Sequence, residues 1–291
     1  MATTVPAPPL DDRPLEPGLY LVATPIGNLR DITLRALDVL ARADLVLAED
    51  TRVAAKLLGA YGLKAKVWRY DDHAGEAVRP KVLAELARGA RIALTTDAGS
   101  PLISDPGYRL ACEAIAQGAR VIPIPGASAV LAGLAAAGLP TDRFLFAGFP
   151  PSKTAGRLSF FAGLAPIRAT LVFFEGASRL GDSLKDMAAI FGPRDAVVAR
   201  ELTKLHETVV RGPLDQLAVN PALQAPRGEV VVLVGPGVEA EATAADADAA
   251  LREALFRLGP ADAASEVARA TGLPRRDLYR RAVEMKTADG R

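Results

Sequence analysis

The sequence lacks the residues that disulfide frameworks and cysteine–histidine metal centres require. Its 291 residues include one cysteine, Cys112, and two histidines, His73 and His206. One thiol excludes an intrachain disulfide, and one thiol with two imidazoles cannot complete a four-ligand zinc site. The sequence therefore predicts no metal centre of this kind, although carboxylates remain possible ligands for Mg²⁺.

Aromatic residues and net charge are also scarce. Aromatic side chains make up 5% of the chain, and 35 Lys and Arg stand against 34 Asp and Glu, a formal net charge of +1. Few rings disfavour binding of single strands by base stacking, and near-neutrality excludes a strongly basic, non-specific nucleic-acid binder. Half of the residues are hydrophobic, which provides the core of about two domains at this length.

Familiar nucleotide-binding and membrane signals are absent as well. After the first predicted strand only Gly27 stands where a GxGxxG motif would need three glycines, and no GxxxxGK[ST] occurs. Residues 121–141 carry no charge, but Pro123, Pro125 and Gly126 favour a strand, a turn and a core helix over a membrane span. Residues 1–17 hold five prolines and no apolar signal segment, so we expect a flexible leader and a cytoplasmic protein.

What is present is an alternation of strands and helices. Residues 18–139 predict a doubly wound α/β domain with a largely parallel sheet. Residues 140–238 predict a second α/β domain, whose sheet is mixed or antiparallel because two of its strands are four residues apart. An acidic tether, 239–250, with four carboxylates and no base, precedes a tail, 251–291, of net charge +3 that predicts a helix-turn-helix unit around Gly272.

Four loops follow strands of the first domain, at the sheet edge where open α/β sheets bind ligands. They are 24–29 (TPIGNL), 48–52 (AEDTR), 97–107 (DAGSPLISDPG) and 125–129 (PGASA). The third is too long for a simple strand-to-helix turn and is typical of a loop that wraps a ligand. Plain structural roles compete: Asp50 or Thr51 as a helix cap with an Asp50–Arg52 pair, and Ala127 and Ala129 as helix-packing residues.

Two further charged segments have both a structural and a functional interpretation. The predicted hairpin around Glu201, Lys204 and His206 is either an exposed polar turn or part of a site. The basic last helix is either a solvated or protein-binding face, or an RNA contact.

Seven blocks in order carry a family resemblance. The chain resembles the bacterial 16S rRNA (cytidine-2′-O)-methyltransferases, of the tetrapyrrole-methylase fold group, through TPIGNLRDITLRAL (24–37), AEDTR (48–52), DAGSPLISDPGY (97–108), PGASA (125–129), DRFLFAGFPP (142–151), RELTKLHETVVRG (200–212) and GEVVVLVG (228–235). The resemblance covers about residues 18–235 and extends to the tail. It departs where that family has Ser-Pro-His-Arg and this chain has Gly176-Ala177-Ser178-Arg179, and after His73, where Gly75-Glu76 replaces Asn-Glu.

The resemblance implies S-adenosylmethionine bound in a cleft between the two domains, a homodimer, and methylation of a ribose 2′-hydroxyl of 16S rRNA, either free or in the 30S subunit. The cofactor contacts that it implies are Thr24, Pro25, Ile26, Gly27, Asn28, Asp97, Ala98, Gly99, Ser100, Pro101, Ser128 and Ala129. The residues expected to contact RNA are Asp50, Arg52, Arg275, Arg276, Arg280 and Arg281.

Positioning of the hydroxyl, the methyl carbon and the sulfur in line is expected to supply most of the catalysis, and a base would add to it. The candidate catalytic residues are His73, Glu201 and Lys204. Lys204 serves as a neutral base only if burial or cationic neighbours lower its pKa. Two other functions stay open: a corrinoid or porphyrinoid methyltransferase of the same fold group, and a non-catalytic rRNA-binding assembly factor.

Overall fold

A computed structural model describes residues 13–71, 74–224, 227–237 and 244–288. The chain forms two compact units, Met1–Pro236 and Gly237–Arg291. The strands are β1 (Gly18–Val22), β2 (Leu45–Ala48), β3 (Val67–Arg69), β4 (Arg91–Thr95), β5 (Val121–Ile124), β6 (Phe144–Phe146), β7 (Thr170–Gly176), β8 (Asp195–Arg200), β9 (Thr208–Pro213) and β10 (Glu229–Val234). The helices are α1 (Leu34–Arg42), α2 (Thr51–Ala60), α3 (Gly75–Ala87), α4 (Tyr108–Ala116), α5 (Ala129–Ala137), α6 (Thr154–Leu164), α7 (Leu180–Phe191), α8 (Leu214–Val219), α9 (Ala244–Leu255), α10 (Pro260–Thr271) and α11 (Arg275–Ala288).

The first sheet has the order β3-β2-β4-β1-β5, and every neighbouring pair is parallel. Alternate residues point to opposite faces, since Leu19 packs with Leu83 and Leu110 of α3 and α4, whereas Tyr20 packs with Val39 and Leu58 of α1 and α2. Helices on both faces explain why β1 and β2 are apolar on both of their faces. The predicted doubly wound α/β arrangement is confirmed.

The second sheet has the order β6-β7-β10-β8-β9. Only the β6–β7 pair is parallel, and β8 and β9 form an antiparallel hairpin. The sheet is therefore mixed, as predicted. One of its faces packs on α6, α7 and α8 through a cluster that includes Phe161, Phe173 and Met187.

The other face of the second sheet packs against α5, which follows the last strand of the first sheet. Val130, Leu134 and Ala137 of α5 share a buried cluster with residues of β7, β8 and β10. At Gly133 an added β-carbon would lie 3.2 Å from Val231 Cγ1, so a small residue allows the close approach of helix and sheet. This helix joins the two sheets into one unit.

The uncharged segment 121–141 forms β5 and α5, as predicted. None of the helices in the described residues combines the length and the apolar composition that a membrane span requires.

The C-terminal unit consists of α9, α10 and α11 around a small core that includes Leu251, Val267 and Leu278. Gly272 ends α10 with a φ of +71°, the left-handed conformation that glycine adopts readily, and α11 follows three residues later. The predicted tether differs from the structure, because α9 begins at Ala244 and residues 244–250 are helical. Residues 238–243 lie outside the described chain. Alanine has the highest helix propensity, which explains why residues 244–250 form the first part of α9.

Candidate active site between the two sheets

The loops that follow β1 and β4 are joined by backbone hydrogen bonds. The amide of Thr24 donates to the carbonyl of Gly99 at 2.8 Å, and the amide of Gly99 donates to the carbonyl of Thr24 at 3.1 Å. The buried Thr24 hydroxyl donates to the carbonyl of Thr96 at 3.0 Å. Two of the loops predicted from sequence thus form one rigid edge.

Two glycines allow this edge to close. Gly99 has a φ of +84°, and a β-carbon there would lie 3.5 Å from the side chain of Ile26. At Gly126, in the loop after β5, a β-carbon would lie 2.9 Å from that of Ala23. The loop after β5 continues into α5, whose first turn is capped by Ser128 through its hydroxyl and the amide of Leu131 at 3.4 Å.

A cavity of about 390 Å³ lies between these loops and the second sheet. Its first wall consists of Ile26, Glu49, residues 96–100, residues 103–105 and residues 128–130. Its opposite wall consists of Phe149, Phe174, Glu175, Gly176, Ala199, Leu202 and residues 228–231. The cavity is thus built from the carboxyl ends of β4 and β5 on one side and from β7, β8 and β10 on the other.

Three carboxylates face the cavity around the buried hydroxyl of Thr96. That hydroxyl donates to Glu49 Oε2 at 3.3 Å. Burial raises the pKa of Asp105, the negative charge of Asp97 raises it further, and a hydrogen bond from Thr96 opposes both effects. This part of the wall is suited to a ligand that carries positive charge or donates hydrogen bonds.

Two further cavities adjoin the first. One, of about 490 Å³, is lined by charged and polar groups: Glu49, Asp50, Thr51, Arg52, Arg69, Asp71 and Asp97. The other, of about 220 Å³, includes Thr24, Pro25, Gly27 and Lys56. Glu49 and Asp97 line both the first cavity and the polar one, so these two side chains lie where the two spaces meet.

Asp50 and Arg52 have the structural role that the sequence left open. Asp50 caps α2 by accepting a hydrogen bond from the amide of Arg52 at 2.7 Å. The Arg52 guanidinium donates to both carboxylate oxygens and holds the pKa of Asp50 far below its usual range. The amide of Asp50 also donates to Asp97 Oδ1 at 3.1 Å, which joins this loop to the one after β4.

Glu201 and Lys204 lie together in the turn between β8 and β9. Lys204 Nζ donates to Glu201 Oε1 at 2.9 Å and to Glu229 Oε2 at 3.0 Å. The lysine carbon chain covers Gly27, where a β-carbon would lie 2.3 Å from Lys204 Cγ. Lys204 therefore contacts the loop after β1 while its charge is bound to the second sheet.

The surroundings of Lys204 do not meet the condition for a neutral base, which is a lowered pKa of the lysine amine. Burial lowers the pKa of Lys204, but its hydrogen bonds to Glu201 and Glu229 outweigh burial and raise the pKa overall. The same contact with Lys204 lowers the pKa of Glu201. The surroundings favour the ammonium and the carboxylate, which suits a positioning pair and does not suit a neutral amine base.

The segment that departs from the family pattern, Gly176–Arg179, contributes partners to the buried carboxylate of Glu175. Glu175 is 3% exposed and accepts hydrogen bonds from the amide of Gly176 at 2.7 Å and from the hydroxyl of Ser183. Arg179 Nη2 pairs with it at 2.7 Å. Glu175 faces the cavity with its charge already balanced, so we assign it a structural role in this wall.

Most of the predicted cofactor contacts lie at the first cavity, but not all of them. Ile26, Asp97, Ala98, Gly99, Ser100, Ser128 and Ala129 line it. The small neighbouring cavity is lined by Thr24, Pro25 and Gly27. Asn28 instead caps a short 3₁₀ turn, and the buried Pro101 lines none of the three cavities. The ring of Pro101 instead fixes the backbone of the loop that follows β4. His73 lies outside the described residues.

Four of the five arginines predicted to contact RNA, all except Arg52, lie on α11, and most of their side chains have partners within their own unit. Arg275 donates to the hydroxyl of Ser265 at 2.8 Å, Arg280 pairs with Asp277 at 3.1 Å, and Arg281 pairs with Asp248 at 3.0 Å. Arg275, Arg276 and Arg280 are exposed, so α11 presents positive charge at the surface of this unit.

Sequence reasoning missed several cavity residues. Glu49 and Asp105 lie inside loops already singled out, so the sheet-edge rule could have found them. Phe174 lies near the end of β7 and faces the cavity, although nothing in the sequence shows which end of the second sheet faces the first sheet. Glu229 was missed because its partner, Lys204, is distant in sequence and only β-sheet pairing brings them together.

Comparison with known proteins gives the class first. Residues 18–218 match the family model described as Tetrapyrrole (Corrin/Porphyrin) Methylases. Among solved structures, diphthine synthase superposes with a TM-score of 0.58 at 17% identity, covering 75% of this chain and 89% of that chain. Uroporphyrin-III-C-methyltransferase from Thermus thermophilus superposes with a TM-score of 0.53 at 23% identity, covering 75% and 93%. These structural likenesses concern the fold alone.

More similar relatives define the family within that class. Proteins named ribosomal RNA small subunit methyltransferase I are 52% identical in Mesorhizobium japonicum, covering 96% of this chain and 95% of the relative, and 42% identical in Escherichia coli O157:H7, covering 92% and 95%. Residues 241–286 match the model described as RsmI C-terminal HTH domain. The chain belongs to the ribosomal RNA small subunit methyltransferase I family and is a methyltransferase. The resemblance inferred from the motifs is confirmed.

Proposed function

We propose that the protein uses S-adenosylmethionine to methylate the ribose 2′-hydroxyl of a cytidine in the decoding region of 16S rRNA. The observation that carries the proposal is the cavity of about 390 Å³ between the two sheets, lined by the loops that carry the family motifs. The names of the relatives support rRNA of the small subunit as the substrate.

The cavity fits this cofactor in size and in chemistry. Ligand cavities commonly range from about 300 to 1,000 Å³. Ile26, Phe149 and Phe174 offer apolar surface for an adenine ring, and Gly99 allows the backbone to approach closely. Asp97 and its neighbouring carboxylates match the ammonium and sulfonium charges of the cofactor.

The chain supplies positioning and charge. S-adenosylmethionine, when bound, supplies an electrophilic methyl group. The rigid edge formed by Thr24, Thr96 and Gly99 fixes one side of the cavity, so little ordering remains when a ligand enters. Phe149 and Phe174, in edge-to-face contact at 5.5 Å between ring centroids, help to exclude water from the other side.

Among the predicted catalytic residues, Lys204 and Glu201 position the loop after β1 through the lysine stem and its carboxylate partners. His73 stays a candidate base or orienting group. Replacement of His73 or Lys204 by alanine with full single-turnover methyl transfer would remove that residue from the catalytic set.

We also propose an oligomeric state, a location, a form of the substrate and a role for the tail. The enzyme acts as a homodimer in the cytoplasm on the 30S subunit, and its tail contacts rRNA phosphates through Arg275, Arg276, Arg280 and Arg281. If so, neutralising the four arginines weakens binding and flattens its salt dependence. Unchanged binding would instead assign the tail to protein contacts or to a structural role.

A transfer assay tests the proposed function. The protein is incubated with methyl-labelled S-adenosylmethionine and with 30S subunits that lack the modification, naked 16S rRNA, or a porphyrinoid. We expect label in 16S rRNA at one cytidine ribose. Label only in the porphyrinoid would favour the small-molecule methyltransferase, and absence of both cofactor binding and transfer would favour an assembly factor.

A further inference from the structure

The polar cavity beside the cofactor cavity has two arginine–aspartate pairs at its rim. Asp50 and Arg52 follow β2, and Arg69 and Asp71 lie at the end of β3. These strands are neighbours in the sheet, with Ala48 opposite Arg69 in the register. The sheet therefore brings two guanidinium groups to the same edge.

Each pair holds its guanidinium in a defined orientation and leaves part of it open. Arg52 uses Nε and Nη2 on Asp50, and Arg69 uses Nε and Nη2 on Asp71. The arginine side chains are nevertheless 85% and 68% exposed. A guanidinium has five N–H donors, so the pairs leave donors for an anion without any new ordering of the side chains.

The inner end of this cavity has a different character. Glu49 and Asp97 line both the polar cavity and the cofactor cavity. Carboxylates at that junction accept hydrogen bonds and repel phosphates, whereas at the rim each guanidinium, although paired with an aspartate, presents its remaining N–H donors to a phosphate oxygen. A nucleotide has a matching polarity, with hydroxyl donors on its ribose and an anionic phosphodiester on each side.

We propose that the polar cavity receives the acceptor nucleotide of an RNA strand, with a phosphodiester bound by Arg52 and Arg69 and the ribose hydroxyls directed toward Glu49 and Asp97. This assignment rests on the proposed function and deepens it by naming where the acceptor strand lies. It gives Arg69 a role that the sequence did not suggest.

The test measures RNA binding against salt. The full-length protein and the variants Arg52→Gln, Arg69→Gln and the double variant are titrated with a 16S rRNA fragment at several KCl concentrations. Arg88→Gln is the matched control, because Arg88 is 73% exposed, pairs with Glu85, and lines none of the described cavities. Each replacement at the rim is expected to weaken binding about tenfold and to reduce the slope of log K against log salt by about 0.7.

A second variant separates phosphate binding from a structural role of the pair. Asp50→Asn keeps a residue that caps α2 well and removes the charge that competes for Arg52. If Arg52 binds phosphate, Asp50→Asn retains or tightens RNA binding with the wild-type salt slope. If Asp50→Asn weakens RNA binding as much as Arg52→Gln does, the pair is structural and the proposal is wrong.

The outcomes also separate this assignment from the proposed function. Wild-type affinity and slope in the double variant, with methyl transfer to rRNA intact, would refute the acceptor site and leave the proposed function standing. No methyl transfer and no rRNA binding by the wild-type protein would refute both. Calorimetric titration with S-adenosylmethionine should give the same affinity for wild type and double variant, since neither arginine lines the cofactor cavity.

Discussion

The variant Lys204→Met removes the charge that joins Glu201 and Glu229 while keeping an apolar side chain over Gly27. Lys204 is 27% exposed and Glu201 19%, so their hydrogen-bonded pair is only partly screened by solvent, whereas Glu229 is 72% exposed and contributes little. Glu201 keeps one partner, the amide of Glu229 at 2.9 Å. We expect a loss of about 1–2 kcal/mol of unfolding free energy.

The pH dependence of this loss follows from the two pKa shifts. The folded-state pKa of Glu201 is lowered, so its stabilising effect is present above the ordinary value near 4.5 and is lost as the pH falls through the lower folded value. The folded-state pKa of Lys204 is raised, so its effect is present below the ordinary value near 10.5 and is lost as the pH rises through the higher folded value. The difference between wild type and variant should be constant from about pH 5 to 10.

The assay is urea unfolding of both proteins from pH 3 to 9, with Lys185→Met, an exposed lysine of α7, as the control expected to change stability by less than about 0.5 kcal/mol. A difference between wild type and Lys204→Met that is as large at pH 3 as at pH 7 would refute the ion-pair explanation. In single-turnover methyl transfer, an ionisation near neutrality that disappears in Lys204→Met would show instead that Lys204 acts as a neutral base.

Three other variants test the packing around the site. Gly126→Ala places a β-carbon 2.9 Å from that of Ala23, so the variant should lose about 1–3 kcal/mol of unfolding free energy and bind the cofactor more weakly. Urea unfolding and calorimetry measure these two effects. In the control, Gly163→Ala in α6, the added β-carbon meets nothing within 4 Å and should stabilise the protein slightly. Arg157→Met leaves Asp186 without its partner and should lower the urea midpoint by an amount equivalent to about 3 kcal/mol, because Arg157 is 4% exposed; an unchanged midpoint would contradict this. Ser128→Ala should cost about 0.5–1 kcal/mol through loss of the α5 cap, and Ser128→Asn should restore it.

The strands of each domain could be predicted from sequence because their signals are local. Apolar runs such as those of β4 and β10 are bounded by glycine, proline or charged residues, and strict alternation with helices implies a parallel sheet. The acidic tether predicted over 239–250 overlaps α9, which begins at Ala244, because alanine, a strong helix former, dominates the segment. The packing of α5 on the second sheet was not predictable, since its all-apolar sequence has no distinct face.

The site was predictable to the extent that it consists of loops at strand ends. The carboxyl edge of the first sheet is fixed by topology, so Asp97, Gly99 and Ser128 could be assigned to a ligand site from their positions after predicted strands. The residues on the opposite wall could not be assigned in this way, because Glu175 and Glu229 line the cavity only through the relative placement of the two sheets. The assignment of a particular cofactor came from the family resemblance and not from the geometry of single residues.

Calorimetric titration of S-adenosylmethionine into the wild-type protein and into Ala98→Trp tests directly whether the cofactor binds in the cavity between the two sheets. Ala98 is exposed and lines the cavity between the two sheets, so an indole there would fill the space without disturbing the core. We predict binding to the wild-type protein and none to the variant, with equal thermal stability of the two free proteins. Equal cofactor affinity in both proteins would show that the cofactor binds elsewhere and that this cavity is not the cofactor site.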